Sequence, residues 1–308
     1  MPVQWRDAPA IEKSYKAREV EGFLDLHLYR KLGYRLALIF ARLQMSPAQV
    51  TWCGAAFGIL AGHLYYYPDL RLNLVGMFLH VVANVFDNAD VQLARLTKQG
   101  SRSGRALDGL ADHLVFVSIY AHLALRYVAG GGSEWIWLVA LASGVSHSVQ
   151  SALADYFRNA WLFFAEGKAR AEFDASGSLR ADFDRLAWRS APWRKFLLRL
   201  YLNYTREQEW FAPALVRLKA AVAATSGERV AAAYREQSKP LIKWQNLLAT
   251  NPRMILLFLL LVIGQPVWYF FAELTAFNLV LVILLQGQNL VCRRILNEEV
   301  AAYERVVD

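Results

Sequence analysis

Apolar residues along the chain gather into runs separated by charged intervals, and a run of about 20 residues is what a helix needs to cross a bilayer. Such runs fall at 49–67, 70–94, 106–128 and 135–157, and a 41-residue stretch extends from Pro252 to Cys292. The last run has room for two helices, with a turn either at Gly264-Gln265-Pro266 or at Glu273 to Thr275. The pattern therefore predicts an all-α, polytopic membrane protein with six transmembrane helices. Within the polar interval, a helix around Trp193 to Tyr201 would place Phe196, Leu197, Leu200 and Tyr204 near one face, with basic residues elsewhere. That is the pattern of an amphipathic interfacial helix. Residues 23–44 read the same way, with Arg30, Lys31, Arg35 and Arg42 set between apolar residues. The expected organisation is an N-terminal segment with its interfacial helix (1–47), spans one to four (48–157), a helical insertion at the membrane surface (158–251), and spans five and six with a tail (252–308).

Composition supports this reading. Of 308 residues, 56% are apolar and 19% charged, which excludes a disordered chain. Cys53 and Cys292 both lie in apolar runs and read as packing residues, with no disulfide framework or zinc spacing. A net charge of +8 arrives together with 10 Trp, which favours lipid over nucleic acid as the partner. Met1 to Glu21 has no apolar central region, so no secretory signal is expected and the first span inserts itself. Lys and Arg set the topology, because cationic connections stay in the cytoplasm. Leaving aside the long interval, 15 of them lie in the N-terminal segment, the 95–105 connection and the C-terminal end, against Arg71 and Arg126 in the alternate connections. Both termini, and the mouth between spans two and three, are expected to face the cytoplasm.

Candidate chemistry sits where apolar helices carry carboxylates. Asp87 and Asp90 lie three apart at the end of span two, and Asp108 and Asp112 four apart at the start of span three. Each pair shares a helix face, and a short turn lets the two faces meet. Four carboxylates at membrane depth are costly, and Arg95 alone does not neutralise them. Two divalent cations would, and oxygen-only ligation points to Mg²⁺ or a similar hard ion such as Mn²⁺, with His113 beside the cluster in a packing or supporting role. Metals with open positions suit phosphoryl transfer, and Lys98-Gln99-Gly100-Ser101-Arg102-Ser103-Gly104-Arg105 adds backbone donors and cations suited to phosphate.

These residues resemble a known signature. Asp87-x2-Asp90-x3-Ala94-Arg95-x8-Gly104-x3-Asp108-x3-Asp112 is similar to that of the CDP-alcohol phosphotransferases, D-x2-D-G-x2-A-R-x8-G-x3-D-x3-D, at seven of its eight fixed positions. Upstream, Ser46-Pro47-Ala48-Gln49-Val50-Thr51 followed by Gly54, Gly58 and Gly62 looks like the T-P-N-x-[IV]-T stretch that opens the family's first span, with Ala48 in place of Asn. The likeness covers roughly residues 21–165. The stretch from Asp87 to Phe164, including Ser146-His147-Ser148 and Ala154-Asp155-Tyr156-Phe157-Arg158-Asn159, also looks similar to members linked to bacterial phosphosphingolipid formation, which places the chain in a bacterial inner membrane.

The resemblance implies a six-helix membrane enzyme that moves a phosphate-bearing alcohol from its CDP ester to an acceptor hydroxyl and releases CMP. Asp87, Asp90, Asp108 and Asp112 would bind a dinuclear metal centre, and Asp112 would be the general base. Asp90, Val91, Ala94, Arg95, Ser103, Gly104 and Asp108 would border the cytidine diphosphate. Val91 stands where the family has glycine and adds volume beside the nucleotide, so two readings stay open, an active enzyme with a displaced nucleotide and a catalytically impaired homologue. A membrane prenyltransferase also binds diphosphate through helical aspartates, but there the acidic motifs lie far apart in sequence. A transporter would need a repeat of the acidic pair. A scaffold would make the cluster incidental.

Ser143, His147, Ser151 and Asp155, with Gln150 and Arg158, form a polar stripe on span four that either lines the acceptor pocket or hydrogen-bonds neighbouring helices. Gln286, Asn289 and Arg293 in the last span invite the same reading. Trp- and Arg-rich surface segments favour at least one lipidic substrate, either the donor or the acceptor. Members of the family often form homodimers, and no motif here marks an interface.

Overall fold

The computed structural model describes residues 19–167, 173–224 and 228–307, and among these every regular element is a helix. Residues 1–18, with four of the cationic residues used for the topology, lie outside the described residues. A π-helical turn (Asp25–Tyr29) leads into α1 (Arg30–Arg42), so the stretch expected at 23–44 is helical. Next comes α2 (Pro47–Leu64), started by a complete capping box. The Ser46 hydroxyl accepts from the Gln49 amide at 3.3 Å, and the Gln49 side chain accepts from the Ser46 amide at 2.8 Å. Pro47 occupies the first helical position, where its missing N–H is no loss.

Two long helices follow. Asp69 caps α3 (Leu70–Leu96) by accepting from the amide of Arg71 at 2.7 Å, and Ser101 caps α4 (Arg102–Ala129) by accepting from the Gly104 amide at 3.0 Å. Between them the chain reverses at Lys98, whose φ is +56°. Both helices pack chiefly on α2 rather than on each other. The glycine stripe is the reason. A Cβ on Gly54 would lie 2.9 Å from Phe86 of α3, and one on Gly58 2.6 Å from Val115 of α4. On Gly62 it would come within 2.8 Å of the Ile119 backbone nitrogen. Small residues let α2 wedge between its neighbours.

α5 (Ile136–Glu166) continues nine residues beyond the expected boundary at 157. The insertion folds as α6 (Ser176–Arg185), α7 (Pro192–Phe211), α8 (Pro213–Ala224), α9 (Glu228–Ser238) and α10 (Ile242–Leu247). Then come α11 (Thr250–Val262), α12 (Trp268–Ala272), a π-helical turn (Glu273–Phe277) and α13 (Asn278–Val307). The break in the long apolar run falls at Gly264, whose φ of +72° suits glycine, and Pro266 follows it. The other expected position, Glu273 to Thr275, is a helical bulge rather than a turn.

Four helical stretches among the described residues are long and apolar enough to cross a membrane: Leu70–Leu96, Ile136–Ala165, Glu228–Val262 and Trp268–Glu298. α2 and α4, which carry the glycine stripe and two of the aspartates, fall short on these grounds. Cys292 is buried as expected, whereas Cys53 is exposed on α2, because Gly54 and its partners turn the helix's contact face elsewhere.

Candidate active site

The α2 wedge holds α3 and α4 at a separation that lets their acidic faces look at one another. One carboxylate oxygen from each of Asp87, Asp90 and Asp108 lies within 4.8 Å of the others. Hard cations bind oxygens at about 2.0–2.6 Å, so this spacing fits three ligands on a single ion. Asp90 is buried, and the Thr51 hydroxyl of α2 donates to it, an outer contact of the kind that fixes a ligand's orientation. Asp112 is not part of the trio. It lies one turn further along α4, exposed to a cavity and near enough to Asp87 to feel its charge. His113 links α4 to α5 through Ser148, with Nε2 3.1 Å from the hydroxyl, and its Nδ1 donates to the Gly109 carbonyl at 2.6 Å.

The cavity has a volume of about 980 Å³ and is bordered by Asp87, Val91, Asp108 and Asp112. One stretch of its wall is polar, with Ser148, Ser151, Asp155 and Arg158 of α5 opposite Tyr201 and Tyr204 of α7. Another is apolar, with Val117, Trp137, Leu141 and Val145, all exposed on α4 and α5. Ala94, Arg95, Ser103 and Gly104 lie around the α3–α4 turn, outside the cavity wall.

The basic connection is engaged by acids of the insertion. Arg102 and Arg105 also hold the segment that follows α5, and Arg105 borders the cavity as well. Arg102 pairs with Asp174 at 2.6 Å and with Asp182, and Arg105 pairs with Asp174 at 2.7 Å and donates to the Tyr201 hydroxyl at 3.3 Å. Burial pushes the Asp174 carboxyl up, but the Arg102 hydrogen bond and the charges of both arginines outweigh it and hold the group below the usual carboxylate range. The Tyr201 phenol is pushed well up, mainly by burial. The Gly104 amide is likewise engaged, by the Ser101 cap.

The polar stripe on α5 divides between its two readings. Ser143 donates to the Phe270 carbonyl at 3.0 Å, and Gln150 donates to the Glu273 carbonyl at 3.0 Å and to Asn278 at 2.7 Å, so both tie helices together. Ser151, Asp155 and Arg158 border the cavity. His147 does both. Its Nδ1 lies 3.1 Å from the Tyr120 hydroxyl and 3.2 Å from Glu273, and the ring also borders the cavity. Gln286, Asn289 and Arg293 do not line the cavity. The inward face of α13 runs instead through Leu284, Gln288, Cys292 and Ile295, and Gln288 accepts from the Tyr234 hydroxyl at 2.9 Å.

Sequence reasoning missed a second charged cluster behind the cavity. Arg253 of α11 and Glu273, 2% and 0% exposed, form a direct ion pair, and Arg253 also donates to Gln150 at 2.8 Å and to the Leu248 carbonyl at 3.1 Å. The signal was present as one cation and one anion flanking a proline- and glycine-broken apolar run.

Comparison with known proteins agrees with the motif. The profile of the CDP-alcohol phosphatidyltransferases matches residues 44–160, the stretch that holds α2, α3, α4 and most of α5. A phosphatidylinositol phosphate synthase of Mycobacteroides abscessus is 30% identical over 163 residues, 53% of this chain and 66% of the relative. A bifunctional IPC transferase and DIPP synthase of Thermococcus kodakarensis is 26% identical over 168 residues, covering 51% and 37%. A phosphatidylinositol phosphate synthase of Streptomyces avermitilis is 32% identical over 113 residues, covering 35% and 45%. The similarity thus spans less than two thirds of each relative, and no solved structure is significantly similar to the chain. The acidic quartet, the glycine wedge and the matched profile all fall on the same helices, so residues 44–160 are similar to the CDP-alcohol phosphatidyltransferase family.

Proposed function

We propose that the protein is an integral membrane CDP-alcohol phosphotransferase, which transfers a phospho-alcohol or phosphatidyl group from a CDP-alcohol to an acceptor hydroxyl and releases CMP. The observation that carries this reading is the approach of Asp87, Asp90 and Asp108 to one another beside a cavity of about 980 Å³. All six helical segments cross the bilayer in this account. α2 and α4 join the four apolar stretches because they expose large apolar side chains, Leu60, Val117 and Leu125 among them. Both termini and the mouth of the site face the cytoplasm, on the distribution of Lys and Arg.

Asp87, Asp90, Asp108 and Asp112 would hold two divalent cations, of which Mg²⁺ fits the oxygen-only donors. When bound, such ions polarise the β-phosphate and stabilise the departing CMP. Asp112, exposed to the cavity at the edge of the trio, takes the acceptor's hydroxyl proton. Val91 borders the cavity and crowds the nucleotide's approach to α3. Ala94, Arg95, Ser103 and Gly104, around the α3–α4 turn beyond the cavity wall, would meet the cytidine end of the donor. The apolar wall formed by Val117, Leu141 and Val145 suits the chains of a lipid substrate, as do relatives named for a phosphatidyl product. Arg158 also borders the cavity, and its Nε has no hydrogen-bond partner among the described residues, which suits an anionic group on the acceptor.

The test is CMP release by the purified chain with Mg²⁺ and a panel of donors, CDP-diacylglycerol and CDP-linked head groups, each with hydroxyl acceptors. Mg²⁺-dependent release that needs both donor and acceptor supports the reading. Retained nucleotide binding without turnover from any donor supports the impaired homologue that Val91 allows.

A further inference from the structure

α7 belongs to the insertion that follows the matched domain, and its placement differs from the sequence pattern in an informative way. The face expected to meet lipid turns inward. Leu197 packs against Ala106 and Leu107 of α4, while Leu200 and Tyr204 border the cavity. Arg105 reaches Tyr201, one turn beyond Leu197, and Gln208 donates to the Ala152 carbonyl of α5 at 2.8 Å. Every one of these contacts on α4 falls within its first two turns, whereas Ala152 lies midway along α5, so α7 crosses the start of α4 and reaches the middle of α5.

Its outward face carries a stripe of Trp193, Phe196, Arg199, Arg206 and Trp210, all exposed, while Asn203 between them borders the cavity. Trp210 is 75% exposed and Trp193 is 52% exposed, and the Trp193 and Phe196 rings stack at 5.5 Å. Trp188 and Arg189 extend the same character into the preceding turn, both exposed. No acidic residue interrupts the stripe. Glu207 borders the cavity, and Glu209 accepts from the Ser176 amide at 2.9 Å. Aromatic residues at both ends with arginines between them complement a surface that is half apolar and half anionic.

From this arrangement we infer that the outer face of α7 docks on anionic phospholipid head groups of the bilayer in which the chain sits. The inference rests on the membrane reading above but not on the reaction. Trp193, Phe196 and Trp210 enter the boundary between head groups and acyl chains, and Arg199 and Arg206 pair with lipid phosphates. The insertion is thereby fastened over the cavity wall that Tyr201 and Tyr204 supply.

The experiment uses the full chain in nanodiscs of brominated phosphatidylcholine, with and without brominated phosphatidylglycerol. Bromine quenches tryptophan at the membrane boundary, and each residue's share is the signal lost in its Trp→Phe variant. Trp193 and Trp210 should be quenched, more strongly with phosphatidylglycerol, and Arg199→Gln with Arg206→Gln should reduce the preference for the anionic lipid about fivefold per arginine. Trp268, 58% exposed at the start of the last apolar stretch, is the control. Quenching of Trp268 without any at Trp193 or Trp210 overturns the inference alone, whereas no quenching at any of the three overturns the membrane reading. Equal quenching in both lipids removes the anionic specificity. A dimer that dissociates on Trp210→Ala, with Trp210 unquenched, assigns the face to a second copy of the chain. Each Trp→Phe variant is conservative and exposed, so folding is retained and is checked by its unfolding midpoint.

Discussion

Two charged clusters lie inside apolar helices on either side of the cavity, and they are built on opposite principles. Behind the cavity, Arg253, Glu273, Gln150 and His147 answer one another's charge and hydrogen bonds within the protein. In front, three carboxylates converge with a hydroxyl of α2 as the neutral support of one of them. The first cluster is balanced by its own members and holds α5, α11 and the turn before α13 in register. The second has an excess of like charge, which proton uptake or a cation from outside would offset, and the proposed function assigns it to a cation. Charge balance thus distinguishes the two clusters, although both place acids in apolar helices.

The sharpest way to break the contrast is to remove one charge from each side. Asp108→Asn should lower the rate of CMP release by about 10²–10³-fold or more, since it removes a group that fixes charge at the reacting phosphate. Because it also relieves like-charge repulsion, the unfolding midpoint of the metal-free protein should hold or rise. Arg253→Ala should do the reverse, destabilising the fold by about 3–5 kcal/mol because Glu273 is left buried without its partner. Replacing the pair together, Arg253→Met with Glu273→Leu, should restore most of that stability, measured by the same unfolding curve. If the double variant is as unstable as the single one, the second cluster is more than a balanced pair.

A smaller effect tests how the aspartates are brought together. Gly62→Ala adds a methyl that would sit 2.6 Å from the Ser118 hydroxyl and 2.8 Å from a backbone nitrogen of α4. Overpacking of this kind costs about 1–3 kcal/mol, and it should weaken metal binding without touching a ligand. Unchanged metal affinity would show that the wedge does not set the spacing.

The smallest expected effect concerns Asp174. Its carboxyl is held below the usual range by Arg102 and Arg105, so its contribution is present above the unfolded value of about 3.9 and is lost as pH falls through the lowered folded value. Asp174→Asn should therefore cost about 1 kcal/mol or less at neutral pH, because both arginines are about a third exposed. The difference from the parent chain should disappear in acid, as followed by unfolding midpoint against pH.

Much of this was legible in the sequence because the signals are local. The apolar runs, the Ser46 capping box, the glycine spacing and the two acidic pairs each lie within one or two helical turns. Gly264 and Pro266 carried the turn as well, although composition alone left Glu273 to Thr275 open as a rival. What was not legible depends on which helix a face meets. Phe196 and Leu197 both fall near the apolar side of a helical wheel, yet Leu197 packs on α4 and Phe196 is exposed. Arg102 and Arg105 give no sign in the sequence that Asp174, some seventy residues away, pairs with both of them. Arg253 and Glu273 were similarly separable only by the fold, since neither position in the chain announces its partner.

The converging aspartates are proposed to be a cation site. The most direct test is Mn²⁺ binding to the full chain, followed by the electron paramagnetic resonance signal of free Mn²⁺, in the parent and in Asp87→Asn and Asp108→Asn. Saturable binding in the parent that is lost in both variants, while their folding is intact, is the predicted result. Binding that survives in both, or a folded parent that binds no Mn²⁺, would contradict it.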